Sequence, residues 1–204
     1  MFQFLLTLVI AYLIGAFPTA YIISKRAKNI DITQVGSGNV GATNVFRSVG
    51  KIAAVAVLLI DIAKGFLAVK LISDINFVAF QFGWMDLFMY QMLLGFMALI
   101  GHNWSIFIGF KGGKGIATTS GVLIALSFKI FIILLVIWAL AFYVSRIVSF
   151  SSIITSIMFP LAAAVFLGDI RFTIFASILA LLSIYKHRTN IKRLIAGQEN
   201  RIKF

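Results

Sequence analysis

Apolar stretches that approach the length of a membrane span alternate along this chain with short segments that gather nearly all of its positive charge. A helix needs about 20 apolar residues to cross the hydrocarbon core of a bilayer. Seven segments are candidates: residues 4–23, 52–72, 87–100, 116–126, 130–144, 153–167 and 172–185. Backbone at membrane depth must satisfy its own hydrogen bonds, so these runs are expected to be helices. The third, fourth and sixth are short; they borrow flanking residues or end where water enters. Lys129 between the fourth and fifth favours a tight turn there, with one long helix over 116–144 as the competing parse.

Composition agrees. Of the 204 residues, 61% are hydrophobic and 12% charged, whereas a soluble domain has about half and about a quarter. Too little polar surface remains to wrap a water-soluble globule, and one membrane domain over residues 1–204 is the economical reading. The first segment lacks a positive leader and a small-residue cleavage signature, so it is read as a retained helix.

Charge sets the orientation. Segments 24–51, 101–115, 145–152 and 186–204 hold fourteen of the 18 Lys and Arg, and the opposite side holds three: Lys70, Lys129 and Arg171. The positive-inside rule then places the N-terminus outside and the C-terminus in the cytoplasm, which requires an odd number of spans. The expected fold is an all-α, seven-transmembrane-helix bundle. The longest outer loop, 73–86, carries Phe77, Phe80, Phe82 and Trp84, which suits an interfacial aromatic belt. A net charge of +12 would also suit nucleic acid, but the charge is confined to loops between spans, so no nucleic-acid partner is expected. The absence of cysteine excludes disulfides, thiolate metal sites and cysteine nucleophiles.

The first inner loop runs Gly36-Ser37-Gly38-Asn39-Val40-Gly41-Ala42-Thr43-Asn44, with Arg47 following. Successive glycines let backbone N–H groups converge on an anion, and Arg47 offers a planar fork for phosphate. A flexible capped turn is the alternative. The second loop holds Gly101-His102-Asn103-Trp104 and then Lys111-Gly112-Gly113-Lys114-Gly115, running into the fourth segment. Lysine charge, free N–H groups and a helix dipole would add there. It is not a Walker A loop, because three residues rather than four separate Gly109 from Gly113 and glycine follows the lysine. A nucleotide triphosphatase is therefore disfavoured.

The third inner segment has serines at 145, 149, 151 and 152, suited to capping the sixth segment or to recognising phosphate. In the last segment, His187, Asn190 and Arg193 or Leu194 share a helical face, and His187 can donate to an oxyanion or exchange a proton near neutral pH. A basic tail resting on anionic lipid is the alternative. Asp61 and Lys64 lie three apart inside the second segment, and a buried structural pair is expected. Six scattered acids and two histidines leave no metal cluster and no HExxH helix, so neither metal nor cofactor is expected.

Three strings, SGNVGATNVFR at 37–47, GHNWSIFIGFKGGKGIAT at 101–118 and HRTNIKRLIAGQE at 187–199, closely resemble the bacterial acyl-phosphate:glycerol-3-phosphate acyltransferase (PlsY) family, in order and over nearly the whole chain. The resemblance implies acyl transfer from acyl phosphate to the 1-hydroxyl of sn-glycerol 3-phosphate, releasing inorganic phosphate, in a multi-pass protein of the bacterial cytoplasmic (inner) membrane. A monomer surrounded by membrane lipid is expected. Lys111, Lys114 and the Gly112 and Gly113 amides would hold the acyl phosphate. Ser37, Arg47, His187 and Asn190 would hold glycerol 3-phosphate, with Asn39, Thr43 and Asn44 shaping the first loop. Further substrate contacts are expected from Gly36, Gly38, His102, Ser149, Ser151, Arg188 and Glu199. The proton acceptor is left open between His187 and the leaving phosphate. The rival class is an anion transporter, which expects polar groups near mid-membrane and access from both sides.

Overall fold

Pro18 decides how the first apolar stretch folds. Proline lacks a backbone donor and clashes with the preceding helical turn. The sequence reads as one segment over 4–23, but the chain forms α1 (Phe2–Ala16) and α2 (Thr19–Lys28) with a break between them. The carbonyls exposed by the break are taken up inside the protein: Ala16 O accepts from Ser105 Oγ, and Phe17 O accepts from Lys64 Nζ at 3.3 Å. Where water is scarce, such partners make a broken helix tolerable. α2 ends at Asn29, whose left-handed φ of 54° closes the last turn, with Lys25, Arg26 and Lys28 at its negative pole.

The computed structural model describes residues 2–76 and 85–202. The proposed aromatic belt of Phe77, Phe80, Phe82 and Trp84 lies outside the described residues. Those described are helical, apart from loops and an isolated antiparallel bridge between Ser105 and Lys111. The chain divides into two compact units, Met1–Leu126 and Ser127–Phe204.

In the first unit, α3 (Ala42–Ser48) leads into the long α4 (Lys51–Asn76). α5 (Leu87–Asn103) starts at Asp86, whose Oδ1 accepts Met89 N at 2.8 Å, and α6 (Ile116–Leu126) completes the unit. Small residues let these helices approach closely, as membrane helix packing requires. α1 meets α5 at Gly15 beside Ala98, and α4 meets α6 at Gly65 beside Thr118 and at Gly121 beside Phe66. One apolar cluster joins Ala11, Ala68, Tyr90 and Leu94; another joins Ala20, Ile32, Val40, Val45 and Val57 beneath the first inner loop.

The second unit begins at Ser127, whose Oγ caps α7 (Phe128–Ser145) by accepting Ile130 N at 3.4 Å. This cap ends the possibility of one helix over 116–144. It also puts Lys129 in the first turn of α7 rather than in the connection. α8 (Val148–Phe166) starts earlier than the expected 153. Its serines are helical: Ser151 and Ser152 donate to Ile147 O and Val148 O at 3.0 and 2.9 Å. Back-bonding of this kind satisfies a hydroxyl within the helix, so a serine run need not be a loop. α9 (Ile170–Lys186), capped by Asp169, packs on α8 through a Ser156–Ser183 hydroxyl contact of 2.7 Å, and α10 (Arg188–Ile195) leaves at a 60° bend.

Among the described residues, four helices are long and apolar enough to cross a membrane when α1 and α2 are taken together, and α9 with α10 makes a fifth. α5 and α6 are apolar but shorter. The architecture is that of an all-helical, multi-pass integral membrane protein.

Candidate active site

Asn44 organises the first inner loop. Its side chain is buried, and its Nδ2 lies within hydrogen-bonding distance of Ile32 O, Val35 O and Asn39 O at 3.2, 3.0 and 3.1 Å. Its Oδ1 accepts Ser37 N at 3.1 Å. One amide thus gathers the loop from both sides. Gly36 turns tightly at a φ of 63°, and a Cβ there would overlap Asn44 Oδ1. Gly38 also adopts a positive φ, of 68°, beside Thr33 O. This scaffold leaves Ser37 and Arg47 exposed and Asn39 and Thr43 half-buried.

The second loop is seated on α5. Gly113 N donates to His102 O at 3.1 Å, and a Cβ on Gly113 would lie 2.6 Å from the His102 ring Cε1 and 2.9 Å from Val40 O. A Cβ on Gly112 would lie 2.6 Å from the Asn103 carbonyl carbon. The two glycines therefore let the turn lie flat on the end of α5 while the Val40 carbonyl of the first loop closes over it. Lys111 is fixed through its backbone, its carbonyl accepting Ser105 N at 3.0 Å, and its side chain is exposed; Lys114 is half-buried. Asp31 sits on the same side. The Thr33 hydroxyl and amide hold its carboxyl below the usual range, with Lys111 and Lys25 adding to the effect. Both glycine loops of the first unit, with Arg47, Lys111 and Lys114 on or beside them, thus come together.

His102 differs from a surface contact. It is buried under the loop, with Nδ1 4.0 Å from Asp61 Oδ1, while Asp61 pairs with Lys64 at 2.9 Å. The expected pair inside the second segment is formed.

In the second unit, His187 sits at the joint of α9 and α10. Its Nδ1 lies 2.8 Å from Ser183 O. A carbonyl can only accept, so Nδ1 carries the proton and Nε2 is the basic nitrogen of the neutral ring. Asn190, one turn on, donates to Glu199 Oε1 at 2.8 Å, Ser149 Oγ donates to the same oxygen at 2.9 Å, and Arg193 Nε reaches Oε2 at 2.7 Å. Burial pushes the Glu199 carboxyl up, but the hydrogen bonds from Arg193, Asn190 and Ser149 outweigh it and hold the group below its ordinary value. Glu199 is thus the centre of a clasp that orders α10 against the start of α8. Arg188 lies over the Tyr185 ring at 4.6 Å, exposed. Ser151 is fully buried and bonded within α8.

Two contributors had no sequence signal of their own. Ser105 bridges the α1 break and the Lys111 backbone. Ser183 fixes His187 through its main chain, and only its spacing of four residues before the histidine hints at this.

Comparison with known proteins is consistent across the chain. Residues 5–197 match the family model described as "Glycerol-3-phosphate acyltransferase". A protein of that name from Prochlorococcus marinus (strain MIT 9215) is 42% identical over 94% of both chains. Another from Endomicrobium trichonymphae is 45% identical over 98% of this chain and 96% of its own. Among solved structures, the glycerol 3-phosphate form of PlsY (YgiH), an integral membrane glycerol 3-phosphate acyltransferase, is 36% identical with a TM-score of 0.87 over 98% of this chain and 96% of that one. Its lysophosphatidic acid form gives 35% and 0.84 over the same shares.

Proposed function

Because this chain belongs to the glycerol-3-phosphate acyltransferase family, we infer that it acylates the 1-hydroxyl of sn-glycerol 3-phosphate, with acyl phosphate as donor. The products are lysophosphatidic acid and inorganic phosphate, and the reaction belongs to membrane phospholipid synthesis. The observation that carries this reading is the seating of the Gly112–Gly113 turn on His102, closed over by the Val40 carbonyl of the Asn44-clasped loop. That arrangement suits phosphate at the surface of a membrane protein.

Acyl phosphate is already activated, so the enzyme needs chiefly positioning and stabilisation of charge. The hydroxyl oxygen of glycerol 3-phosphate attacks the carbonyl carbon, the carbon–oxygen bond to phosphate breaks, and phosphate departs with the electron pair. Lys111, Lys114 and the Gly112 and Gly113 amides are assigned to the donor's phosphate. Ser37, Arg47, His187 and Asn190 are assigned to glycerol 3-phosphate. The hydroxyl proton goes to the leaving phosphate or to His187 Nε2. Glu199 acts through Asn190, and Asn44 through the first loop.

In the topology we assign, α1 with α2 forms the first of seven spans, and α4, α5, α6, α7, α8 and α9 form the others. The N-terminus is outside and the C-terminus cytoplasmic, which follows from the Lys and Arg count. The enzyme works in the bacterial cytoplasmic membrane as a monomer and requires no cofactor. The test is purified protein in detergent with palmitoyl phosphate and glycerol 3-phosphate. Phosphate release that depends on both substrates is expected. Uptake of glycerol 3-phosphate into vesicles with no acylated product would contradict the reading.

A further inference from the structure

The Asp61–Lys64 pair is costly where it sits. Both side chains are almost fully buried in the middle of apolar α4, and charges at such depth persist when they serve a purpose. Lys64 has a visible one, since its ammonium holds the Phe17 carbonyl at the α1–α2 break. Asp61 balances that charge through Oδ1, and the same oxygen faces His102 Nδ1 at 4.0 Å. This separation is too long for a direct hydrogen bond but short for an electrostatic contact away from water. A carboxylate there attracts an Nδ1–H and biases the orientation of the ring.

The ring in turn supports the loop. Its edge lies where Gly113 has no Cβ, and the same residue's carbonyl accepts Gly113 N. Asp61, Lys64, His102, Pro18 and Gly112 line one cleft, so the chain from α4 to the turn is continuous. α4 also meets the first turn of α6, just beyond the loop, where Gly65 lies against Thr118. The helix that carries the ion pair therefore also packs on the helix that the Gly-Lys loop leads into.

We propose that Asp61 is a positioning residue for acyl transfer, acting through His102 to set the Gly112–Gly113 turn against the donor's phosphate. The proposal rests on the reading that this turn holds acyl phosphate. A misplaced turn loses contacts made equally in the bound complex and the transition state, so it raises KM for the donor with little change in kcat.

The bland alternative is a pair that only stabilises the bundle, and the two separate cleanly. Removing one partner strands a buried charge, whereas replacing both with apolar residues is often neutral for stability. The experiment compares Asp61→Leu/Lys64→Met with Asp61→Asn/Lys64→Met, measuring Tm in detergent and KM for each substrate. The Leu/Met protein should melt near the wild type, with KM for palmitoyl phosphate raised about tenfold and KM for glycerol 3-phosphate unchanged. The Asn/Met protein restores an acceptor facing His102 without charge and should recover most of the donor affinity. A Leu/Met protein with wild-type KM, with both KM values raised alike, or unable to fold overturns the proposal, as does an Asn/Met protein no better than Leu/Met. Lys114→Ala is assayed beside them. Full turnover in that variant strikes the phosphate-loop reading itself, whereas an inactive Lys114→Ala with unaltered double variants removes only the role of Asp61.

Discussion

Asn190 Nδ2 lies 2.8 Å from Glu199 Oε1, and the same oxygen accepts Ser149 Oγ at 2.9 Å while Arg193 holds Oε2. Glu199→Gln removes the charge and replaces one acceptor with a donor facing other donors. A loss of about 2 kcal/mol is expected, the scale of a buried hydrogen bond to a charged group. Activity should fall with stability, because Asn190 loses its anchor. Chemical denaturation and turnover of the purified variant check both.

The same clasp predicts a pH dependence. The folded state holds the Glu199 carboxyl below its ordinary value. Its contribution to stability is therefore fully present above the unfolded carboxyl's value and is lost as pH falls through the lowered folded value. Wild-type Tm should drop across that acidic window, and Glu199→Gln should flatten that part of the curve. A variant with an unchanged acid limb would remove Glu199 from the account.

Gly36→Ala places a Cβ against Asn44 Oδ1 at a φ of 63°, so it should disturb the clasp that shapes the first loop. Asn44→Asp keeps the acceptor for Ser37 N but sets a carboxylate against three carbonyl oxygens. Both should cut kcat/KM for glycerol 3-phosphate by at least about tenfold, a cost comparable to leaving one buried polar group unpaired. The glycine variant should show it chiefly in KM for glycerol 3-phosphate, the substrate assigned to Ser37 and Arg47. Steady-state kinetics in each substrate decide it.

Much of this was legible in the sequence, for physical reasons. Lipid demands helices from apolar runs, so all seven segments fall on helices, the first of them broken at Pro18. The serine run failed as a loop because hydroxyls can bond within a helix, and length alone could not show that α8 starts at Val148. Pro18 was visible, yet the acceptable break depends on Ser105 and Lys64, which come from distant parts of the chain. The glycine and lysine motifs are the basis for proposing a phosphate site, but the burial of His102, Ser151 and Glu199 is a packing outcome. Spacing therefore found these residues without separating those exposed to a ligand from those that hold its neighbours.

His187 discriminates between two routes for the proton. If Nε2 takes it, His187→Ala should lose most activity together with the pH dependence of kcat. If the leaving phosphate takes it and His187 only orients, His187→Gln should keep a substantial fraction, since the amide can still donate or accept. Profiles of kcat against pH for both variants give the answer.

In the reaction proposed for this chain, the bond broken lies between the acyl carbon and the phosphate's oxygen. Palmitoyl phosphate labelled with heavy oxygen at the bridging position, given to the purified enzyme with glycerol 3-phosphate, tests it directly. All of the label is expected in inorganic phosphate, with one lysophosphatidic acid formed per phosphate. Label retained in free palmitate, with the phosphoryl group passed to the glycerol, would contradict it.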